Sequence, residues 1–525
     1  MNLNMRHDTV IECPSALPVS VPLTRPAAHA DSVRHRAGVA PLLIIFLGGA
    51  NLILVQWVMV REITTLLLGT ELVILLTAVT FFAGISLGYM VSRQISSAWL
   101  LPLAVATLVL HLTLPVTFRL LVTWLGTNGR YGLAFFLLPL LVPFIISAFY
   151  SIFLPRFIDS GQGNLPGLYL VELAGSAFGI LVLVFLSGYG LQLVMMIYTL
   201  GLLTILLALG LRRPWVILLA AAAGMWLALL PLADSWSNGR WYTEMMGFPE
   251  GTAVLFSGYS PYQKVDVLQL PDGARALYLD GLSHFNAAMG VRLNVIVGEV
   301  PGSLLQPQNS LVIGAGVMQT EQMLAQYGGH VTTVELDPMV ADVGERLFYS
   351  YNQMDSLSQR TVVVDDAKHF IANSHAQYDL VVADTPAAFS VQPATLYSAA
   401  FYQSIASQLS PGGVLVANMT SPFTPDDLIS RRVAASLLTA FDEVIVVTPA
   451  SVGWSFAFAG DDLPFDRQML EAALQAHGEV QYTVMDTTAV RAVVGDARPI
   501  TLDSMDFVLQ TSLAWIADNL YGSEQ

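Results

Sequence analysis

Asp384 ends the apolar run Leu380-Val-Val-Ala383, where a buried strand would present a carboxylate to a reacting centre. Two more acids stand in the same position. Glu335 follows Val331-Thr-Thr-Val334, and Asp366 follows Thr361-Val-Val-Val364 by one residue. The turn Gly314-Ala-Gly316 follows Leu311-Val-Ile313. Glycines there let backbone approach a nucleotide, and an acid about 20 residues further on can reach a ribose. Glu335 lies at that distance. Asp366 is placed to accept the adenine amino group, and Asp384 to act as a general base. A Gly-x-Gly turn alone is a weak signal; with strand-terminal acids it points to an adenosyl donor. Each acid also has a plainer reading. Glu335 and Asp366 suit helix N-caps, and Asp384 before Thr385-Pro386 suits a turn.

The elements that must position these groups follow from periodicity. From residue 310 short apolar runs alternate with helical patterns, the fifth run being Gly413-Val-Leu-Val-Ala417. Repeated βα units predict a doubly wound, Rossmann-like parallel sheet of the methyltransferase type, with ligands at the strands' carboxyl ends. Before it, Lys264 to Leu270, the turn Pro271-Asp-Gly273 and Ala276 to Leu279 predict a β-hairpin. We divide the chain into a disordered tail (1–37), a helical membrane domain (38–233), a linker with the hairpin (234–285) and a nucleoside-binding domain (286–525).

The chain has 525 residues, 54% hydrophobic and 12% charged. Soluble domains carry roughly 25% charged residues. The apolar excess lies between Pro41 and Ala233, in about seven runs near the ~20 residues that a bilayer core requires. They fall at 41–60, 72–91, 98–118, 131–154, 167–187, 190–210 and 214–233, the third interrupted by Pro102 and Pro115. Small residues in Gly84-Ile-Ser-Leu-Gly88 and Gly175-Ser-Ala-Phe-Gly179 suit close helix packing. Gln56, Arg61, Glu62 and Glu172 are polar at membrane depth and candidates for an intramembrane site. Alternatively Arg61 and Glu62 lie at the interface, and Glu172 pairs with a neighbour such as Arg156. The distribution of arginines puts the N-terminus in the cytoplasm. Seven spans would then leave the C-terminal domain outside, whereas adenosyl donors are cytoplasmic. We therefore expect one run not to span, with the C-terminal domain cytoplasmic in a multi-pass protein of the cell (inner) membrane.

A net charge of −16 argues against nucleic acid as a partner. One cysteine, Cys13, excludes an internal disulfide and a cysteine-based metal site, and no other metal cluster is expected.

In order and spacing these pieces resemble the spermidine synthase (polyamine aminopropyltransferase) family, over roughly 255–460. The matching residues are Tyr262-Gln263, Leu279-Asp280-Gly281, Glu335-Leu-Asp337, Asp365-Asp366-Ala367 and Tyr378 through Asp384, with Leu396-Tyr397 after them. The resemblance implies Asp384 as catalytic base. It implies Gln263, Gly314, Gly316, Glu335 and Asp366 around the donor, and His284, Asn294 and Tyr397 around the acceptor. The front half resembles membrane proteins fused to such domains, with Leu168-Tyr169-(x)2-Glu172-(x)2-Gly175-(x)3-Gly179 carrying Glu172 in place of the usual amide. The family's donor-holding acid is Val317 here, and its acceptor-holding acid is Ala387. His284 stands for a Gln, and Leu293-Asn294 for a Tyr-Gln pair. An unopposed ammonium in a half-buried site is expensive. The expected activity is aminopropyl transfer from decarboxylated S-adenosylmethionine, or a related use of S-adenosylmethionine, to an altered acceptor. No permanently bound cofactor is expected, and a homo-oligomer is a further expectation. The alternatives are another S-adenosylmethionine-dependent transfer, such as methylation, to a membrane-borne substrate, and a transporter or scaffold with a retired transferase domain.

Overall fold

A computed structural model describes residues 38–521 except Leu68, 288–291, Ala315, 357–358, Phe389, 451–453 and 479–480. The expected tail and Cys13 lie outside the described residues. Among those described, seven helices are long and apolar enough to cross a membrane. They are α1 (Val39–Leu66), α2 (Glu71–Gln94), α3 (Ser97–Thr127), α4 (Leu138–Asp159), α5 (Leu165–Tyr189), α6 (Leu191–Ala208) and α7 (Arg213–Met245). The third apolar run does not break at its prolines: α3 continues through Pro102 and Pro115. The expectation that one run does not span thus finds no support in helix length.

Glycines set two of the helix contacts. A Cβ on Gly175 would lie 1.9 Å from the carbonyl oxygen of Phe46, and one on Gly49 would lie 2.3 Å from that of Glu172. The backbones of α1 and α5 therefore touch. Gly84 and Gly88 bring α2 equally close to the carbonyls of Phe144 and Ala148 on α4. Both small-residue patterns in the sequence are packing surfaces.

After α7 the chain forms an antiparallel sheet of four strands rather than a single hairpin. These are β1 (Ala253–Tyr259), β2 (Lys264–Gln269), β3 (Arg275–Leu279) and β4 (Leu282–Asn286), in that order. The larger sheet holds β5 (Asn309–Ile313), β6 (His330–Glu335), β7 (Arg360–Val364), β8 (Tyr378–Ala383), β9 (Leu409–Asn418), β10 (Glu443–Pro449), β11 (Phe456–Gly460) and β12 (Tyr482–Met485). Its order is β12-β10-β11-β9-β8-β5-β6-β7. The first five of these in chain order are parallel, as expected, but β10, β11 and β12 join antiparallel, so the sheet is mixed. The inner strands β5, β8 and β9 carry buried aliphatic runs because helices cover both faces there. The order reverses beside β5, between β6 and β8, which opens a crevice at the carboxyl ends of these strands.

A buried polar network ties helices to the small sheet. Arg119 on α3, fully buried, pairs with Glu62 on α1 and Asp234 on α7, each at 2.8 Å. The Tyr259 hydroxyl donates to Glu62. Asp234 accepts from Ser257 at 3.1 Å and Asn238 at 3.2 Å. Asn238 in turn accepts from Lys264 at 2.6 Å. Glu62 is thus a structural counter-ion. Glu172 is half-buried and accepts from Tyr89 at 3.1 Å. Its expected partner Arg156 instead donates to the carbonyls of Ser92 and Ile95 and to the Ser97 hydroxyl. Gln56 is half-buried on α1.

Candidate active site

The strand ends bring the predicted acids together around one cavity of about 1150 Å³. Gly314, Gly316, Glu335, Asp366 and Asp384 all line it, with Gln263, His284 and Asn294. Gly314 has φ +91°, and a Cβ there would sit 2.4 Å from the carbonyl oxygen of Asp384. Only glycine lets the β5 turn lie against the β8 turn so closely. Gly316 also has positive φ, and the space beside it is open.

Glu335 accepts the amide of Asp337 through Oε1 at 2.9 Å, while Oε2 lies 3.5 Å from the amide of Gly316. Asp337, not Glu335, caps the next helix through the amide of Met339, and it accepts from Ser260 at 2.6 Å and Gln263 at 3.2 Å. The Ser260–Gln263 loop is therefore held against the second strand end. Asp366 does cap its helix, by accepting the amide of Lys368 at 2.8 Å, yet it also faces the cavity. One carboxylate can do both, because capping uses one oxygen.

Asp384 is half-buried, its carboxyl desolvated by the cavity walls, and that desolvation pushes it up to about 6 against a hydrogen bond from Asn418. A carboxylate poised there is ionised at neutral pH yet basic enough to accept a proton. Asn418 ends β9 and lines the cavity; the sequence reading stopped that strand one residue short. Asp280, with φ 47°, also lines it, and burial pushes its carboxyl up to about 6. Trp454 was missed as well, since it belongs to no motif.

Asn294 is oriented by the Thr320 hydroxyl, at 3.1 Å. Tyr397 differs from expectation. It is 1% exposed and its hydroxyl donates to the carbonyls of Thr385 and Pro386, both at 3.1 Å. It braces the turn after Asp384 and is not part of the cavity wall. Val317 and Ala387 do line the cavity, so apolar groups occupy both positions. Arg61 is not an intramembrane ligand either: its guanidinium donates to the carbonyls of Pro261 and Tyr262.

Residues 293–463, about a third of the chain, match the model of the spermine/spermidine synthase domain. A polyamine aminopropyltransferase from Thermoplasma volcanium is 25% identical over 242 residues, covering 44% of this chain and 88% of that protein. Putrescine N-methyltransferase 1 from Nicotiana tabacum is 28% identical over 219 residues, 39% of this chain and 57% of its own. Among solved structures, spermidine synthase from Thermotoga maritima aligns at 18% identity with a TM-score of 0.37, covering 50% of this chain and 88% of that one. The C-terminal part of the chain is thus similar to the spermine/spermidine synthase domain.

Proposed function

We propose that the chain is a membrane-integrated aminopropyltransferase-like enzyme. It takes the aminopropyl group of decarboxylated S-adenosylmethionine and passes it to an amine that carries less charge than putrescine. One observation carries the reading: the cavity gathers Gly314, Glu335, Asp366 and Asp384 at adjoining strand ends, and the domain's relatives are polyamine aminopropyltransferases. Glu335 holds the ribose hydroxyls and Asp366 the adenine amino group. The acceptor amine attacks the carbon next to the sulfonium, the carbon–sulfur bond breaks, and its electron pair leaves with methylthioadenosine. Asp384 takes the proton from the amine. Proximity supplies much of the acceleration, since no covalent intermediate is needed. The seven apolar helices anchor the enzyme in the bilayer, and donor chemistry sets its C-terminal domain in the cytoplasm.

The apolar Ala387 sets the acceptor, while Val317 stands beside the donor's amino group. Without a carboxylate at Ala387, a diamine's second ammonium loses a hydrogen bond worth about 1.5–3 kcal/mol. The full chain in nanodiscs, given the donor, should release methylthioadenosine with a suitable amine and very little with putrescine. Val317→Asp together with Ala387→Asp should raise putrescine turnover. Robust spermidine formation by the unmodified protein would refute the altered acceptor site, and failure to bind methylthioadenosine would refute the enzyme reading.

A further inference from the structure

The cavity does not end at the sheet. Its wall continues onto Leu67 just after α1, Leu72 and Leu76 on α2, Phe135 before α4, Leu140 on α4 and Met245 on α7. Among the described residues, no charged side chain lines that helical part. The acids of the cavity stand at the strand ends, except Asp280, which lies beside the arm at Gly69 and accepts the amide of Lys264. At about 1150 Å³ the cavity exceeds the roughly 300–1,000 Å³ of ordinary small-molecule sites. A nucleoside donor at Glu335 and Asp366 therefore leaves the apolar arm for something else.

The arm opens sideways. Leu76 lines it and is 44% exposed, and Tyr131 lines it and is 53% exposed. Farther along α2, Val79 and Phe82 are also exposed on the helix surface, where an apolar face meets lipid in a spanning helix. The helices beside the arm are irregular. Leu133–Leu137 and Trp241–Met245 are both π-helical turns, and each contributes lining residues. Such turns often mark functional sites in helices.

From this we infer that the acceptor is an amphipathic primary monoamine with one hydrocarbon chain, drawn from the bilayer through the gap beside Leu76. This rests on the reading of the strand-end acids as an aminopropyl-donor site. The chain lies in the arm and the amine reaches Asp384. A new nitrogen–carbon bond forms as the carbon–sulfur bond of the sulfonium breaks, methylthioadenosine departs with the electron pair, and the amine's proton passes to Asp384. A second positive charge on the acceptor would find only Asp280 at the edge of the arm and none along its helical wall, which disfavours a diamine.

The test uses the full chain in nanodiscs with decarboxylated S-adenosylmethionine and n-butylamine, n-octylamine, n-dodecylamine or putrescine, the products being read by mass spectrometry. The expected kcat/KM rises at least tenfold from butylamine to dodecylamine, with putrescine no better than butylamine. Simple partitioning into lipid would also favour long chains, so Leu76→Trp is the control. It should lower the dodecylamine value about tenfold, change the butylamine value less than threefold, and leave methylthioadenosine binding within twofold of the parent. Equal rates across chain lengths, preference for putrescine, no amine product, or an unaltered length dependence in Leu76→Trp would each overturn the inference while the donor site stands. Loss of methylthioadenosine binding by the unsubstituted chain would overturn the donor site itself, and this inference with it.

Discussion

The Arg61 guanidinium, near the end of the first apolar helix, holds the backbone carbonyl of Tyr262, the residue before Gln263. Gln263 bonds Asp337, whose amide is held by Glu335. A helix long and apolar enough to span a membrane is thus joined by hydrogen bonds to Glu335, the proposed ribose-binding group. The adjacent turn is also fitted to this wall, since Gly69 lies against Asp280, where its Cβ would be 3.3 Å away. Arg61→Gln should loosen the loop and weaken methylthioadenosine binding severalfold in isothermal titration. Arg61→Lys should recover only part of this, because one ammonium does not reproduce a planar fork on two carbonyls. Unchanged affinity in Arg61→Gln would show the contact to be incidental.

In the proposed reading Glu335 and Asp366 supply the donor's charged hydrogen bonds. Such bonds contribute about 1.5–3 kcal/mol. Glu335→Ala and Asp366→Ala should each weaken methylthioadenosine binding about tenfold or more. Asp366→Ala should also lower the thermal midpoint slightly, because it removes a helix cap worth ~1 kcal/mol. Asp366→Asn separates the two effects: an asparagine still caps, so stability returns while affinity stays low.

The site and the helix network were unequally legible in the sequence. Glu335, Asp366 and Asp384 could be found because each ends an apolar run, and a parallel strand has only one end that faces ligand. Asn418 obeys the same rule and was missed only by a boundary error of one residue. Tyr397 was placed in the acceptor site by its position in a motif, but position does not say which way a ring points, and it turns inward. The partners of Arg119 were not legible at all. They stand 57 and 115 residues away in the chain, and periodicity carries no information at such separations. The antiparallel strands β10 to β12 were unread for a related reason: their apolar runs look like those of parallel strands.

Arg119 also offers a stability test. Removing one member of a buried ion pair costs roughly 3–5 kcal/mol, since the partner's charge stays behind unpaired. Here two carboxylates, Glu62 and Asp234, would be stranded. Arg119→Met should therefore lower the thermal midpoint in detergent sharply. Adding Glu62→Gln should restore part of the loss by removing one stranded charge. A single substitution with no thermal effect would show that water already reaches the network.

Topology is decided by reporter fusions at Gln525, one active only inside the cell and one only outside. The donor chemistry predicts the inside signal. With seven helices long enough to span, the N-terminus would then lie outside, against the arginine count. A fusion at Gly38 should give the opposite signal to that at Gln525. An outside signal at Gln525 would remove the domain from its donor and refute the transferase reading.

Asp384 can be tested through pH. Desolvation holds its carboxyl at about 6, above the ordinary 3.8. As a base it must be ionised, so kcat/KM should fall tenfold per pH unit below about 6, and level off above it. Stability moves in the opposite sense. The raised folded-state value means that the native protein favours the protonated carboxyl; its contribution is fully present below about 3.8 and lost as pH rises through about 6. Asp384→Asn, which cannot take the proton, should abolish transfer yet be at least as thermostable as the parent at pH 8. An inactive and markedly less stable variant would mean that the carboxylate's role is structural, through the Asn418 contact. A variant that kept its turnover would mean that the amine's proton leaves by another path.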